Sequence, residues 1–397
     1  MKTATSARPR ANQSMPIVLL AACTVGSMLI GPQLGAGIVA ADLAIAAMIL
    51  GGFAFMAQRG SVARQMLVSS APWLWLIVVG SFTGLMGVGI TMWALDNLAR
   101  DAFSLAILFA TFQLGSTSTK VLRRTLDVVV ICTGLLALLI VMTADVYRPG
   151  GTFANPNYAA HFLAMGAALL CVTRHRSLRL RSVILLVSSG AIVRTGSFGA
   201  LVMLLVAALL YVMARAREPR SHGARLLVVI ILILLASTGR QAYRTVEDPA
   251  FQAGTSISAY RLQNTSNVRQ QLWSAALEAV PENPLGVGPA GIKNRELLPR
   301  GIEVHNDLLG YLLERGVIGL AGLVGFLLVL ARYGRRGGGT RLLIALVLVG
   351  GLFRETLHFR HMWIFVGLAL AHDVHLRRKV PPDARPAVER RGVKVGR

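Results

Sequence analysis

Apolar stretches near twenty residues long, separated by short polar joints, fill most of the 397-residue chain. A helix that spans a bilayer needs about 20 mainly apolar residues. Stretches near that length predict about twelve spans, at 15–31, 36–57, 67–89, 101–116, 125–145, 157–173, 182–195, 198–213, 225–239, 306–331, 341–357 and 361–376. The pair 182–195 and 198–213 is short, and reads either as two spans or as one broken hairpin. The pattern therefore predicts an all-α polytopic membrane protein.

One long polar segment interrupts the pattern, dividing the chain into spans one to nine at 1–239, a large loop at 240–304, spans ten to twelve at 305–376 and a tail at 377–397. Within the loop, Val268, Leu272, Ala276 and Val280 recur at helical spacing, with Asn267 and Gln270 as a start signal and Pro281 as the stop. This predicts a helix of about four turns whose apolar face lies on the membrane surface or over the mouth of the bundle. Arg269 and Trp273, four residues apart, share one side of it. Asn283, Pro284, Gly286, Gly288, Pro289 and Gly291 then form a turn-rich return to the membrane at His305.

Composition agrees with the pattern. Charged residues are 15% of the chain, against roughly 25% in soluble domains, and mean hydropathy is +0.59. The net charge of +23 would favour nucleic acid if it formed a stripe on a folded domain. Instead the arginines and lysines sit in alternate short joints, so the partners are membrane lipids and no nucleic acid is expected. Arg59 and Arg64, then Lys120, Arg123 and Arg124, then Arg174, Arg176, Arg179 and Arg181, mark the cytoplasmic side. The opposite joints carry only Arg100, Arg148, Arg194, Arg354 and Arg360. Both termini are then cytoplasmic and the large loop is extracytoplasmic. The Pro-rich basic tail reads as disordered and held at the anionic inner leaflet. Cys23, Cys132 and Cys171 lie in apolar runs without paired spacing, and read as packing residues.

Polar groups at the outer ends of the spans are the candidates for chemistry, because charge within hydrocarbon is costly. Asn155 and Asn157 open the sixth span, as helix caps or as part of an anion site at the helix amino terminus. Arg194 sits at an outer turn and Arg269 on the loop helix. His305, able to accept a proton near neutral pH, enters the tenth span with Asn306 beside it. Along that span Asp307, Tyr311 and Glu314 share a face, and Glu314 with Arg315 reads either as an internal ion pair at a helix break or as substrate-facing. Arginines with one histidine suit a diphosphate substrate that must lose a proton to react. No phosphate-cradling Gly-rich loop, metal-ligand spacing or aspartate pair one residue apart occurs, so no cofactor or metal is expected.

The segments GTFANPNYAA at 151–160, TGSFGAL at 195–201, VRQQLWSAAL and NPLGVGP within 268–289, and VHNDLLGYLLERGVIGL at 304–320 resemble the O-antigen ligase and O-antigen polymerase superfamily of bacterial membrane glycosyltransferases. The resemblance implies a metal-independent C-type glycosyltransferase of the cytoplasmic membrane, with an extracytoplasmic site. Its donor would be a glycan on undecaprenyl diphosphate and its acceptor a glycan, lipid or protein hydroxyl. It further implies that His305 activates or orients that hydroxyl and that Arg269 binds the diphosphate. The second arginine of the family lies in a Ser–Arg–Gly triplet, which here is Ser197, Phe198, Gly199. Arg194, one turn earlier, is the expected substitute. A polymerase extending lipid-linked repeats shares this chemistry, and a transporter of lipid-linked glycan is the reading of another class.

Overall fold

In the computed structural model, the residues described are 14–28, 40–58, 62–143, 150–153, 155–173, 177–215, 257–294, 297–298, 304–334, 338–354 and 356–378. Among them the structure is all-α. Its helices are α1 (Ser14–Met28), α2 (Ala40–Gln58), α3 (Val62–Val88), α4 (Met92–Gly115), α5 (Thr119–Met142), α6 (Pro156–Thr173), α7 (Leu178–Thr195) and α8 (Phe198–Arg215). After them come α9 (Ile257–Glu282), the short α10 (Gly291–Asn294), α11 (Asp307–Tyr333), α12 (Gly339–Gly351) and α13 (Arg360–Arg378). Among the described residues, four helices are long and apolar enough to cross a membrane: Val62–Met86, Met92–Gly115, Thr119–Met142 and Asp307–Tyr333. The expected span 225–239, Arg148, part of the large loop and nearly all of the tail lie outside the described residues.

Local chemistry explains several boundaries. The segment 182–213 forms two helices, because Gly196 takes a left-handed conformation (φ 62°) and ends α7. Helix α4 begins nine residues before the expected span, at a Thr91 cap whose side chain accepts the Ala94 amide, and an Asp96–Arg100 ion pair of 2.7 Å staples its first turns. Helix α9 starts at Ile257, ten residues before Asn267, since nothing in that polar stretch interrupts it. The expected span 341–357 ends at Gly351 instead, where the chain turns toward a buried aspartate.

One core gathers α1–α8 and α11–α13 around Phe109, Phe112, Phe162, Phe326 and Phe365. Helices α3 and α11 pack closely through small residues: a Cβ on Gly80 would stand 2.5 Å from the Arg315 carbonyl oxygen and 2.6 Å from the Gly319 nitrogen, and one on Gly84 would meet the segment after α9, 2.2 Å from the Gly288 nitrogen. A second, smaller cluster joins α9 to α11. Its buried members are Leu272 and Ala276 of α9 with Val287, Ile292, Leu298, Val304 and Leu313, so the predicted apolar stripe is packed over α11.

Candidate functional site

Helix α11 is broken inside its apolar run. Gly316 has φ 63° and ψ −172°, a conformation open to glycine alone. The break frees backbone groups that buried structure must pair. The turn-rich segment after α9 pairs them: the Val287 and Gly288 amides donate to the Leu313 and Glu314 carbonyls at 2.9 and 2.8 Å, and the Val317 amide donates to the Pro284 carbonyl at 3.0 Å. The Glu314 side chain adds a bond from the Ala290 amide at 2.9 Å. Glycines and prolines that read as a loop in sequence thus serve as the missing turn of a helix.

The same construction holds the His305 turn. Trp273, one turn along α9 from Arg269, donates its indole N–H to the Val304 carbonyl at 3.2 Å. His305 is half-buried and has φ 53°, an uncommon conformation for a residue with a Cβ. Asn306 then caps α11 by accepting the Leu309 amide at 3.1 Å. Buried Asp307 accepts the Thr356 amide at 2.9 Å on each carboxylate oxygen and the Thr356 hydroxyl at 2.6 Å. Residues 352–359, which link α12 to α13, are thereby tied to the residue two beyond His305.

That linking segment carries Arg354 toward the start of α6. Asn155 caps α6 through its Oδ1, which accepts the Asn157 amide at 2.9 Å. The same oxygen receives Arg354 Nη1 at 3.4 Å, and the Arg354 guanidinium lies 4.6 Å from the centre of the Tyr158 ring. Arg354 also reaches Arg269 electrostatically: burial first, and then the charge of Arg354, lower the pKa of the Arg269 guanidinium. Buried Arg269 Nε has no hydrogen-bond partner among the described residues. This is a cationic site, able to hold an anion in the planar, forked geometry of guanidinium.

Next to it is a cleft richer in carboxylates, lined by Trp93, Asp96, Asn97, Arg100 and Asp101 of α4, by Asn306 at the cap of α11, by Asp307, Tyr311, Glu314 and Arg315 of α11, and by His358. Arg315 at its base is 2% exposed and its charge is met by carboxylates: it pairs with Asp101 and, at 3.1 Å, with Glu314, and it stacks at 4.4 Å over Tyr311, while its Nε has no hydrogen-bond partner among the described residues. His358 Nδ1 lies 3.7 Å from Asp101. Hydroxyl groups suit such a cleft, since its carboxylates and amides accept hydrogen bonds and Trp93, 53% exposed, offers an aromatic face.

Of the residues expected from sequence, Arg269, His305, Asn306 and Asn155 fall within this one network, Asn155 through Arg354. Asn157 lies in the first turn of α6, and Glu314 is tied to Ala290 and Arg315. Arg194 is employed elsewhere: its two terminal nitrogens donate to the Val141 and Thr143 carbonyls at 2.6 and 2.7 Å, at the C-terminal end of α5. Sequence reasoning passed over Arg354, Trp93, Asp96 and Asp101. The Thr91 cap and the Asp96–Arg100 spacing are the signals that would have extended α4 back over Trp93 and Asp96; Asp101 already lay at the start of the expected span.

Residues 183–324 match the family described as O-antigen ligase. The match takes in Arg194, Arg269, His305, Asn306 and Glu314, and leaves Asn155, Trp93 and Arg354 outside it. No curated protein matches the chain.

Proposed function

We propose that this member of the O-antigen ligase superfamily, a membrane enzyme of the ligase or polymerase type, transfers an undecaprenyl-diphosphate-linked oligo- or polysaccharide to an acceptor hydroxyl on the extracytoplasmic side. The observation that carries the reading is the Trp273–Val304 hydrogen bond, which joins the helix bearing Arg269 to the turn bearing His305.

In the reaction, His305 accepts the proton of the acceptor hydroxyl as its oxygen attacks the anomeric carbon. The bond from that carbon to the diphosphate oxygen breaks, and the leaving diphosphate departs with its charge held by Arg269. Attack from the face opposite the leaving group inverts the anomeric configuration. The acceptor sugar lies in the cleft lined by Trp93 and Asp96, whose carboxylates and amides accept hydrogen bonds from hydroxyls. Asp307 acts as a positioning residue, since it holds the segment after α12 against the start of α11.

The test compares lipid-linked and surface glycan in the native host, with wild-type and His305→Ala protein at equal levels. Loss of surface glycan with accumulation of lipid-linked sugar is the expected outcome. Long accumulated chains identify a ligase and single repeats a polymerase. Identical profiles would remove His305 from catalysis and leave transport of lipid-linked glycan as the reading to pursue.

A further inference from the structure

We propose that Arg354 is a second ligand of the donor diphosphate, closing with Arg269 into a two-guanidinium clamp. The proposal rests on the reading of the reaction given above. It adds a residue outside the matched segment, from a part of the chain that carries none of the motifs.

The arginines near the site differ in their partners. Arg315 is neutralised by Asp101 and Glu314, Arg100 by Asp96, and Arg194 is spent on two carbonyls of α5. Arg354 differs. Among the described residues no carboxylate pairs with it or with Arg269. Among those residues its one hydrogen bond, to Asn155 at 3.4 Å, is longer than a good N–H···O bond, which leaves most of its five donors without a partner there. Two partly buried, like-charged side chains within electrostatic reach of each other are costly in a protein. A dianion between them offsets that cost for both, and planar guanidinium matches phosphate oxygens two at a time.

Position and rigidity support the same assignment. The segment bearing Arg354 is fixed on three sides. Thr356 is bonded to Asp307, the Trp363 indole donates to the Leu357 carbonyl at 2.6 Å, and Phe353 packs edge-on against Phe198 with ring centres 5.4 Å apart. Phe198 stands where the resembled family has the arginine of its triplet. The ring that replaces that arginine thus packs against the immediate neighbour of Arg354. Arg354 also lies beside the amino-terminal end of α6, which itself favours an anion.

The test uses the full chain in lipid nanodiscs, with three probes: undecaprenyl diphosphate, undecaprenyl monophosphate and undecaprenol. Wild-type protein is expected to prefer the diphosphate. Arg354→Gln, which keeps a hydrogen-bonding group beside Asn155 and removes the charge, is expected to lose roughly tenfold or more of the diphosphate affinity, as befits a charge-assisted bond, with undecaprenol binding unchanged. Arg354→Lys is expected to recover part of the loss. Unchanged undecaprenol binding also certifies that a variant is folded. The clamp is overturned if Arg354→Gln binds diphosphate like wild type while Arg269→Ala does not, and equally if Arg194→Ala alone loses the preference. Absence of any diphosphate preference in the wild type would instead sink the functional reading beneath it.

Discussion

Two neighbouring regions of this protein use arginine in opposite ways. In the cleft between α4 and α11, Arg315 is buried with two carboxylates and an aromatic ring, so its charge is consumed by the fold. Near the start of α6, Arg354 has an amide oxygen and an aromatic ring but, among the described residues, no carboxylate, and it lies within electrostatic reach of a second arginine. A cation whose charge is met by carboxylates serves the architecture, whereas one without them is, on the proposal above, addressed to a ligand. The turn carrying His305 belongs to both regions. Its following residue, Asn306, lines the acidic cleft, and its preceding residue, Val304, is held by the helix that presents Arg269.

Substitutions break or sharpen this comparison to different degrees. His305→Ala is expected to have the largest effect, a fall of about 10²- to 10⁴-fold in transfer rate, read in a reconstituted assay, with diphosphate binding retained. Arg315→Ala comes next. It leaves Asp101 and Glu314 as uncompensated carboxylates and should cost about 3–5 kcal/mol of stability, seen as a large drop in the thermal unfolding midpoint. Arg354→Gln should barely move that midpoint, and equal losses from the two variants would erase the distinction drawn here. Asp307→Ala strands the Thr356 amide and hydroxyl, at about 1–3 kcal/mol. It should weaken diphosphate binding through the displaced Arg354 segment, and Asp307→Asn should restore part of it. Trp93→Ala is expected to be mildest, raising the KM for acceptor severalfold without altering diphosphate affinity. An unchanged acceptor KM would remove the cleft from the acceptor site.

Much of the helical order was legible from the apolar runs, because length and hydropathy are local properties. Helices α3, α4, α5 and α11 each fall over an expected span, with the length and apolarity to cross a membrane. The stripe Val268, Leu272, Ala276, Val280 announced the face of α9, though not that Val287, Val304 and Leu313 would cover it. The role of each arginine was less visible. Arg194 and Arg354 look alike in sequence, each in a short joint on the same expected side. What separates them is tertiary: two carbonyls at the end of α5 in one case, and in the other an aspartate and a threonine 49 positions apart. His305 was conspicuous as a histidine entering an apolar run, but nothing in its neighbours foretold a left-handed backbone.

The break at Gly316 also sets a timescale. Amide protons of Val287, Gly288 and Val317 close rings across the interruption, and each exchanges with solvent only when its partner carbonyl is released. A stretch composed like a surface turn therefore inherits the lifetime of a packed helix. The slow clock of α11 is carried out to the end of α9, and the geometry around His305 is kept from one turnover to the next.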